Sequence, residues 1–336
     1  MTIVTLQSPV SREVKTKNGA LNEPQIDFSI IVPVFNRKSY LEAAIRSISR
    51  QTYQSYEVIV VDDGSTDDTA KYVECLGDPI LAIRQANSGV SKARNHGASI
   101  AQGKYLVFLD SDDVLLPWSL QCYSDVINQF RPLVISARTI EFQGEPPALE
   151  EVDYKKPLVK VYDDYLANAE NYSFVGASCI VVEADVFARS NGFATEMKAG
   201  EDYDLLLRIG VETPYAKIEA PVTVGYRVHA DNVSKRVDRL VEGSSNLLAR
   251  ESEGVYPGGR ERALDRITVI GRVVRPVILA SVQRGRLEDA WRLYRKSFWM
   301  HVRAMRIRFL VAAAFLICGA FSRKAAEFSG MSRIPR

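Results

Sequence analysis

The sequence predicts an α/β protein: a Rossmann-like, mostly parallel sheet flanked by helices, followed by a helical C-terminal extension. Three observations predict it. Short apolar, β-rich runs alternate with segments of helical periodicity from Phe28 to Leu109, two of those runs end directly in aspartates, and the charge balance changes sign near residue 260. The composition, 46% hydrophobic and 25% charged over 336 residues, is that of an ordinary globular chain and excludes a disordered, collagen-like or multi-span membrane protein.

Phe28–Val34 (FSIIVPV) predicts the first strand. Lys38–Arg50 predicts a helix, because Leu41, Ala44, Ile45 and Ile48 recur at helical spacing. The alternation continues with Glu57–Val61 as strand, Thr66–Cys75 as helix, Ile80–Arg84 as strand, Val90–Ala101 as helix and Tyr105–Leu109 as strand. Parallel strands joined by right-handed crossovers bind ligands outside their carboxyl ends. At those ends stand Asp62 and Asp63 after VIVV, and Asp110, Asp112 and Asp113 after YLVFL. No G-x-G-x-x-G follows the first strand and no Walker sequence is present, so dinucleotide and P-loop readings drop out. What remains is a phosphate site that works through a metal, with hard carboxylate oxygens holding Mg²⁺ or Mn²⁺ against two phosphate oxygens. Taken alone, DDGSTD (62–67) is also an ordinary turn and helix cap. The metal–nucleotide reading comes from two acidic segments, each directly after a buried-type strand.

Residues 1–25 show no apolar stretch of signal-peptide length and are expected to form a flexible tail. Cys75, Cys122, Cys179 and Cys318 form no C-x-x-C pair and are expected to be reduced, buried thiols of a cytoplasmic protein. Of 43 Lys and Arg and 41 Asp and Glu, residues 260–336 hold 17 and 5, leaving 26 and 36 for the first 259 residues. Within that basic part, Phe309–Ser322 (FLVAAAFLICGAFS) is uncharged, with Arg303, Arg306 and Arg308 before it and Arg323 and Lys324 after it. A membrane-spanning helix needs about 20 apolar residues. The run is shorter, and reads either as a buried core or oligomer-contact helix or as a segment on a membrane surface, flanked by cations that favour anionic lipid. No nucleic-acid reading motif accompanies the charge, so no nucleic-acid partner is expected.

Six segments in order, from residue 28 to about 235, resemble a family 2 glycosyltransferase of the GT-A fold. SIIVPVFNR (29–37) resembles the opening strand and its Pro-x-aromatic-Asn turn, and VVDDGSTDDT (60–69) the loop that contacts base and ribose. QANSGVSKARNHG (85–97) resembles the segment near the donor, and FLDSDD (108–113) the D-x-D metal motif. NGF (191–193) with AGEDYDLLLRI (199–209) resembles the acceptor-side loop and the Glu-Asp motif, and YRVHADNVS (226–234) the closing Tyr-Arg-x-His segment.

The resemblance implies a catalytic domain over 26–235; it does not reach 236–336, which the charge pattern alone predicts to be a basic helical region that associates with a membrane or oligomerises. It implies that Asp202 is the catalytic base and that Glu201, Asn191 and Gly192 lie on the acceptor side. Asp112 and His229 would hold the metal, Mn²⁺ or Mg²⁺. Pro33, Phe35, Asn36, Asp63, Arg94 and Asp110 would bind the donor, with Asp113 assisting; His96 and His301 receive no role. Inverting transfer needs one base for the acceptor hydroxyl and one cation for the leaving diphosphate, without the second carboxyl group of glycoside hydrolysis. On residue type alone, GEDYDLLLRI reads first as a helix start with acids favourable to its dipole, and a lone His is more often a hydrogen-bonded structural residue than a ligand. The expected activity is sugar transfer from a nucleoside-diphosphate sugar, a UDP-sugar first, to a hydroxyl of a saccharide or lipid-linked acceptor. The expected setting is surface polysaccharide or glycolipid assembly, in the cytoplasm or peripherally at the cytoplasmic face of the membrane. The alternatives are a sugar-phosphate nucleotidyltransferase, for which a glycine-rich basic loop is lacking, and a non-catalytic nucleotide-sugar-binding or scaffold protein on the same fold.

Overall fold

The computed structural model describes residues 26–146, 154, 156–171 and 176–331. The expected tail, 1–25, lies outside the described residues. Two compact units emerge: one runs to Tyr165 and adds Ser173–Thr195 and Glu212–His229, and the other gathers Leu166–Tyr172, Glu196–Val211 and Ala230–Arg336.

The first unit begins as the periodicity predicts: β1 (Phe28–Val34), α1 (Lys38–Ser49), β2 (Tyr56–Asp62), α2 (Asp68–Glu74), β3 (Ile80–Arg84), α3 (Val90–Ile100) and β4 (Tyr105–Phe108). It continues with β5 (Val114–Leu115), α4 (Ser119–Phe130), β6 (Val134–Ser136), β7 (Thr139–Phe142), β8 (Leu158–Tyr162), β9 (Ile180–Glu183), α5 (Ala184–Arg189), β10 (Tyr215–Ala220) and β11 (Val224–Arg227). The main sheet has the order β3-β2-β1-β4-β9-β6-β10-β8. Neighbours among β3, β2, β1 and β4 pair in parallel, as do β6 and β10, while β9 is antiparallel to β4 and β6, and β8 to β10. Every residue of β1 is buried, as a parallel strand covered on both faces requires. One cover is α1, which buries Leu41, Ala44, Ile45 and Ile48. Another is α3, which comes so close to the strands that a Cβ on Gly97 would meet Ile31 Cγ2 at 2.6 Å. Three short strands, β5-β11-β7, form a second sheet that the alternation did not predict.

The second unit is helical: α6 (Glu201–Arg208), α7 (Val237–Ser252), α8 (Ala263–Gln283), α9 (Leu287–Arg303) and α10 (Ile307–Met331). Its core joins Val269, Ile270, Val274 and Ile278 of α8 to Ala290 and Leu293 of α9 and to Leu310, Ala313 and Ile317 of α10. The apolar run 309–322 therefore buries one edge only, and Val311, Phe315 and Leu316 are exposed. Among the described residues no helix is long and apolar enough to cross a membrane. None of the four cysteines is in a disulfide; Cys122 and Cys179 are buried as expected, whereas Cys75 and Cys318 are exposed, Cys75 following the half-exposed helix α2 and Cys318 lying on the outer side of α10.

His301 sits in this core opposite Gly271, whose absent side chain leaves room for the ring, with Phe309 edge-on at 4.8 Å. Burial first, then the charges of Arg275 and Arg306, push its pKa down to about 4. An unfolded histidine takes up its proton near pH 6.5, so between that value and about 4 the unfolded chain binds more protons and stability falls as pH falls. Urea unfolding followed from pH 7 to pH 4 is expected to lose about 3 kcal/mol through this group. A His301→Leu variant should lack that component of the pH dependence.

Candidate active site

The residues expected to bind the donor stand on and around the turns after the first unit's parallel strands. Asn36, directly after β1, has a left-handed backbone (φ 52°) that a short polar side chain tolerates. Its N–H donates to Ser65 Oγ at 2.9 Å and its Oδ1 accepts the Thr66 N–H at 2.8 Å, which ties the end of β1 to the loop after β2. Pro33 lies within β1, and Phe35 is 42% exposed beyond its end.

In that loop the two aspartates divide their work. Asp62 is fully buried, accepting the Ser65 N–H at 2.9 Å and facing Arg84 Nε at 3.3 Å. Asp63 accepts the N–H groups of Ser88 and Gly89 at 2.9 and 2.8 Å and Gln85 Nε2 at 2.8 Å, so its carboxylate fixes the turn that starts α3. Between the two loops a Cβ on Gly64 (φ 77°) would lie 2.7 Å from the Asn87 nitrogen, which is why glycine stands there.

The aspartates after β4 converge. One ligand oxygen from each of Asp110, Asp112 and Asp113 lies within 4.8 Å of the others. Asp110 pairs with the buried Arg94 at 2.5 Å, and Arg94 in turn stacks over Phe193 at 5.0 Å. Asp112 Oδ2 meets Arg37 and, at 2.8 Å, His229 Nε2, whose ring stacks on Tyr40. Asp113 is buried, accepting Ser178 Oγ at 2.7 Å and the Arg227 N–H at 3.0 Å. Burial, then the charges of Asp110 and Asp112, hold its pKa well above the usual carboxylate range. Such a cluster needs positive charge to stay ionised. Carboxylate oxygens with one imidazole nitrogen fit a hard divalent cation of the Mn²⁺ or Mg²⁺ type.

The sequence reading assigned no role to three further residues. Arg227 Nε donates to the Asp112 carbonyl at 2.9 Å, and the same side chain donates to Gly144 O and stacks over Tyr40 and Phe142. Ser178 holds Asp113 by its hydroxyl and accepts the Asp110 N–H at 3.1 Å. Arg37 pairs with Asp112 from the start of α1. Arg37 and Arg227 stand inside the quoted motifs, which was the available signal; Ser178 stands in none. A pocket of about 280 Å³ lies beside His229, lined also by Tyr40, Arg46, Glu145 and Arg227.

Asn191 and Gly192 close the turn after α5, both with positive φ. Asn95 of α3 grips this turn through two 2.8 Å hydrogen bonds to the backbone of Phe193, and a Cβ on Gly192 would strike its Oδ1 at 2.5 Å. The structure thus brings Asn191 and Gly192 to the helix that carries Arg94.

Glu201 and Asp202 belong to the second unit, in the first turn of α6. Both are partly exposed, and Asp202 Oδ1 accepts the Tyr203 N–H at 2.8 Å. Asp204 points inward, fully buried, among Arg208 at 2.8 Å, Arg250 at 2.7 Å and the Tyr256 hydroxyl at 3.0 Å. Burial and the Asp204 charge push the Tyr256 phenol up. Nearby, a Cβ on Gly243 of α7 would meet the Ala199 carbonyl at 2.4 Å, so the segment leading into α6 packs directly on that helix.

The sequence profile of Glycosyl transferase family 2 matches residues 29–187. An uncharacterized glycosyltransferase of Haemophilus influenzae is 31% identical over 208 residues, 58% of this chain and 66% of the relative. One from Rickettsia prowazekii is 28% identical over 259 residues, 72% of this chain and 78% of the relative. The chain thus spans just under two thirds of the Haemophilus protein, and 37% of a relative from Rickettsia conorii. Among solved structures, residues 1–349 of Staphylococcus aureus TarS in complex with UDP superpose with a TM-score of 0.59 at 17% identity, over 89% of this chain and 92% of that one. The mannosyltransferase PcManGT of Pyrobaculum calidifontis, in complex with GDP-Man and Mn²⁺, gives 0.50 at 19% identity, over 85% of each chain. These structures are GT-A folds, and the likeness extends to the sheet and helices described above.

Saturating Mn²⁺ is expected to raise the thermal midpoint of the chain, since about 100-fold excess over Kd adds about 2.7 kcal/mol to a folded state that alone binds the ion. Asp112→Asn should abolish that rise while leaving the metal-free midpoint at least as high, because one of the repelling charges is gone. A differential scanning fluorimetry titration with and without chelator checks both.

Proposed function

We propose that the chain, whose residues 29–187 match the Glycosyl transferase family 2 profile, is a glycosyltransferase of that family and moves a sugar, with inversion, from a nucleoside-diphosphate donor to a hydroxyl of a saccharide or lipid-linked acceptor. The observation that carries the reading is the convergence of Asp110, Asp112 and Asp113 within 4.8 Å, with His229 Nε2 at 2.8 Å from Asp112, at the carboxyl end of a parallel strand. A UDP-sugar is the donor assigned first, surface polysaccharide or glycolipid assembly the setting, and the cytoplasmic side the compartment. We assign 26–235 as the catalytic region and 236–336 as an accessory one.

Asp112 and His229 would hold the cation, with Asp113 behind them and Asp110 directed to the ribose or the ion. Bound there, a divalent cation would neutralise the charge that develops on the departing diphosphate. The remaining work falls to side chains of the chain itself. Asn36 and Asp63 fix the two loops beside which the exposed Phe35 would offer an apolar surface for the base, whereas Pro33, expected beside it, is buried within β1 and stiffens the strand end instead. Arg94 supplies fixed positive charge behind Asp110. By its place in the Glu-Asp motif, Asp202 takes the proton from the acceptor hydroxyl as the oxygen attacks the anomeric carbon, and Glu201, Asn191 and Gly192 shape the acceptor side. Burial of Asp204 among Arg208, Arg250 and Tyr256 supports this role, because it anchors α6 from within and leaves Asp202 on the accessible side.

Nucleotide release from UDP-, GDP- and dTDP-sugars with Mn²⁺, repeated with chelator, is expected to show chelator-sensitive release from a UDP-sugar. Release that persists in chelator would overturn the roles of Asp112 and His229. Asp202→Asn should lower turnover by about 10²–10⁴-fold, the range of a general base. Its donor affinity, read by isothermal titration, should stay within about twofold. If neither parent nor variant turned over while both bound donor, the chain would be a binding protein on this fold.

A further inference from the structure

α10 of the second unit has two apolar sides. Leu310, Ala313 and Ile317 point into the helical core. On the outer side, Val311 is 56% exposed, Phe315 78% and Leu316 47%, with Arg308 before them and Arg323 after them, also exposed. We propose that this outer face of α10 is a docking surface for an anionic lipid membrane, on which the helix lies flat.

Length excludes crossing. At 1.5 Å per residue the stretch from Arg308 to Arg323 covers about 22 Å, short of a hydrocarbon core of about 30 Å. An interfacial helix needs an apolar face to insert and cations at headgroup level, and both are present. Arginines gather at the start of α10: Arg272 and Arg306 both reach the Glu170 carboxylate, at 3.1 and 3.4 Å, and Arg275 stands beside Phe309. Burial, then the like charges of Arg306 and Arg272, push the Arg275 guanidinium down, while its Nε donates to the Gly271 carbonyl at 2.9 Å. Further large apolar side chains are exposed at the end of α9 and in the turn that follows, Trp299 at 73% and Met305 at 81%. An indole ring, apolar in body and polar at its N–H, favours the membrane interface.

A second copy of this chain covers the face poorly. Arginines stand at both ends of the stripe, so two such faces would set like charges together in either a parallel or an antiparallel alignment. A bilayer bearing negative charge meets both requirements at once. The proposal stands independently of the sugar-transfer reading.

The full chain is to be sedimented with vesicles of phosphatidylcholine alone and of an equimolar mixture with phosphatidylglycerol, at rising salt. Binding to the mixed vesicles that exceeds binding to phosphatidylcholine by at least about tenfold, and that weakens with salt, is expected. Phe315→Glu should lower the bound fraction by about tenfold and Arg308→Glu by a few-fold. Both sites are exposed, so circular dichroism and the thermal midpoint of the two variants should match the parent. Equal binding to the two vesicles, no binding, or binding by Phe315→Glu at the level of the parent would overturn the proposal. So would a parent dimer in gel filtration that Phe315→Glu converts to monomer without any lipid binding, which would make the second copy the occupant.

Discussion

Three carboxylates at the end of one strand repel each other, and much of the first unit is arranged around that repulsion. Two unit charges 4.8 Å apart, the outer limit of the cluster, cost roughly 3 kcal/mol at an effective dielectric of about 20. Desolvating a charge adds to this, and Asp113 is the most deeply buried of the three. The protein answers with donors from several distant places in the chain: Arg37 from the first turn of α1, Arg94 from α3, Ser178 before β9, and Arg227 and His229 at and after the end of β11. Arg94 serves Asp110, Arg37 and His229 serve Asp112, and Ser178 and the Arg227 N–H serve Asp113. The sheet order that inserts β9 beside β4, and the small sheet that sets β11 against β5, bring these donors to one place.

The compensation is incomplete in a useful way. Asp110 has an arginine partner and Asp112 has an arginine and a histidine, but Asp113 meets only neutral donors among its hydrogen bonds, a hydroxyl and a backbone N–H. A fully neutralised cluster would have little use for a metal, and an entirely unpaired one would strain the loop. The observed state lies between these: the fixed cations hold the backbone of the DSDD turn, and the remaining charge is available to a divalent ion. Arg227 shows the division most clearly, since its guanidinium binds carbonyl oxygens of Asp112 and Gly144 and not the carboxylates themselves.

What the sequence revealed was local. Alternating periodicity located the early strands and helices to within about two residues, because the burial that positions them depends on near neighbours in sequence. The aspartates were legible because each group follows a buried strand directly. What was not legible depends on long-range closure. Arg37 lies 75 residues from Asp112, and Arg227 lies 114 from Asp113, so neither pairing leaves a trace in spacing. The same limit hid β9, the β5-β11-β7 sheet and the grouping of 196–211 with the C-terminal helices. Asp63 shows a subtler gap: its motif pointed to a ligand, while its carboxylate is occupied in holding the turn before α3, so any donor contact has to share it. In α10, composition could register an uncharged run but not that one edge of it is buried and the other exposed.

The near-neutral total of +2 is best understood as two opposed charge distributions. A surplus of acids in the first 259 residues would by itself repel a diphosphate, so on the proposed reading an intervening cation would have to join the two. A surplus of 17 Lys and Arg over 5 Asp and Glu in the last 77 residues has no corresponding substrate in that chemistry. Two of them, Arg308 and Arg323, flank the exposed Val311, Phe315 and Leu316 of α10. Had the same charges been spread evenly, neither half would select its partner by sign. On the two readings proposed above, that segregation would let one chain select twice by sign, a metal-bound anion at the strand ends and an anionic surface along α10.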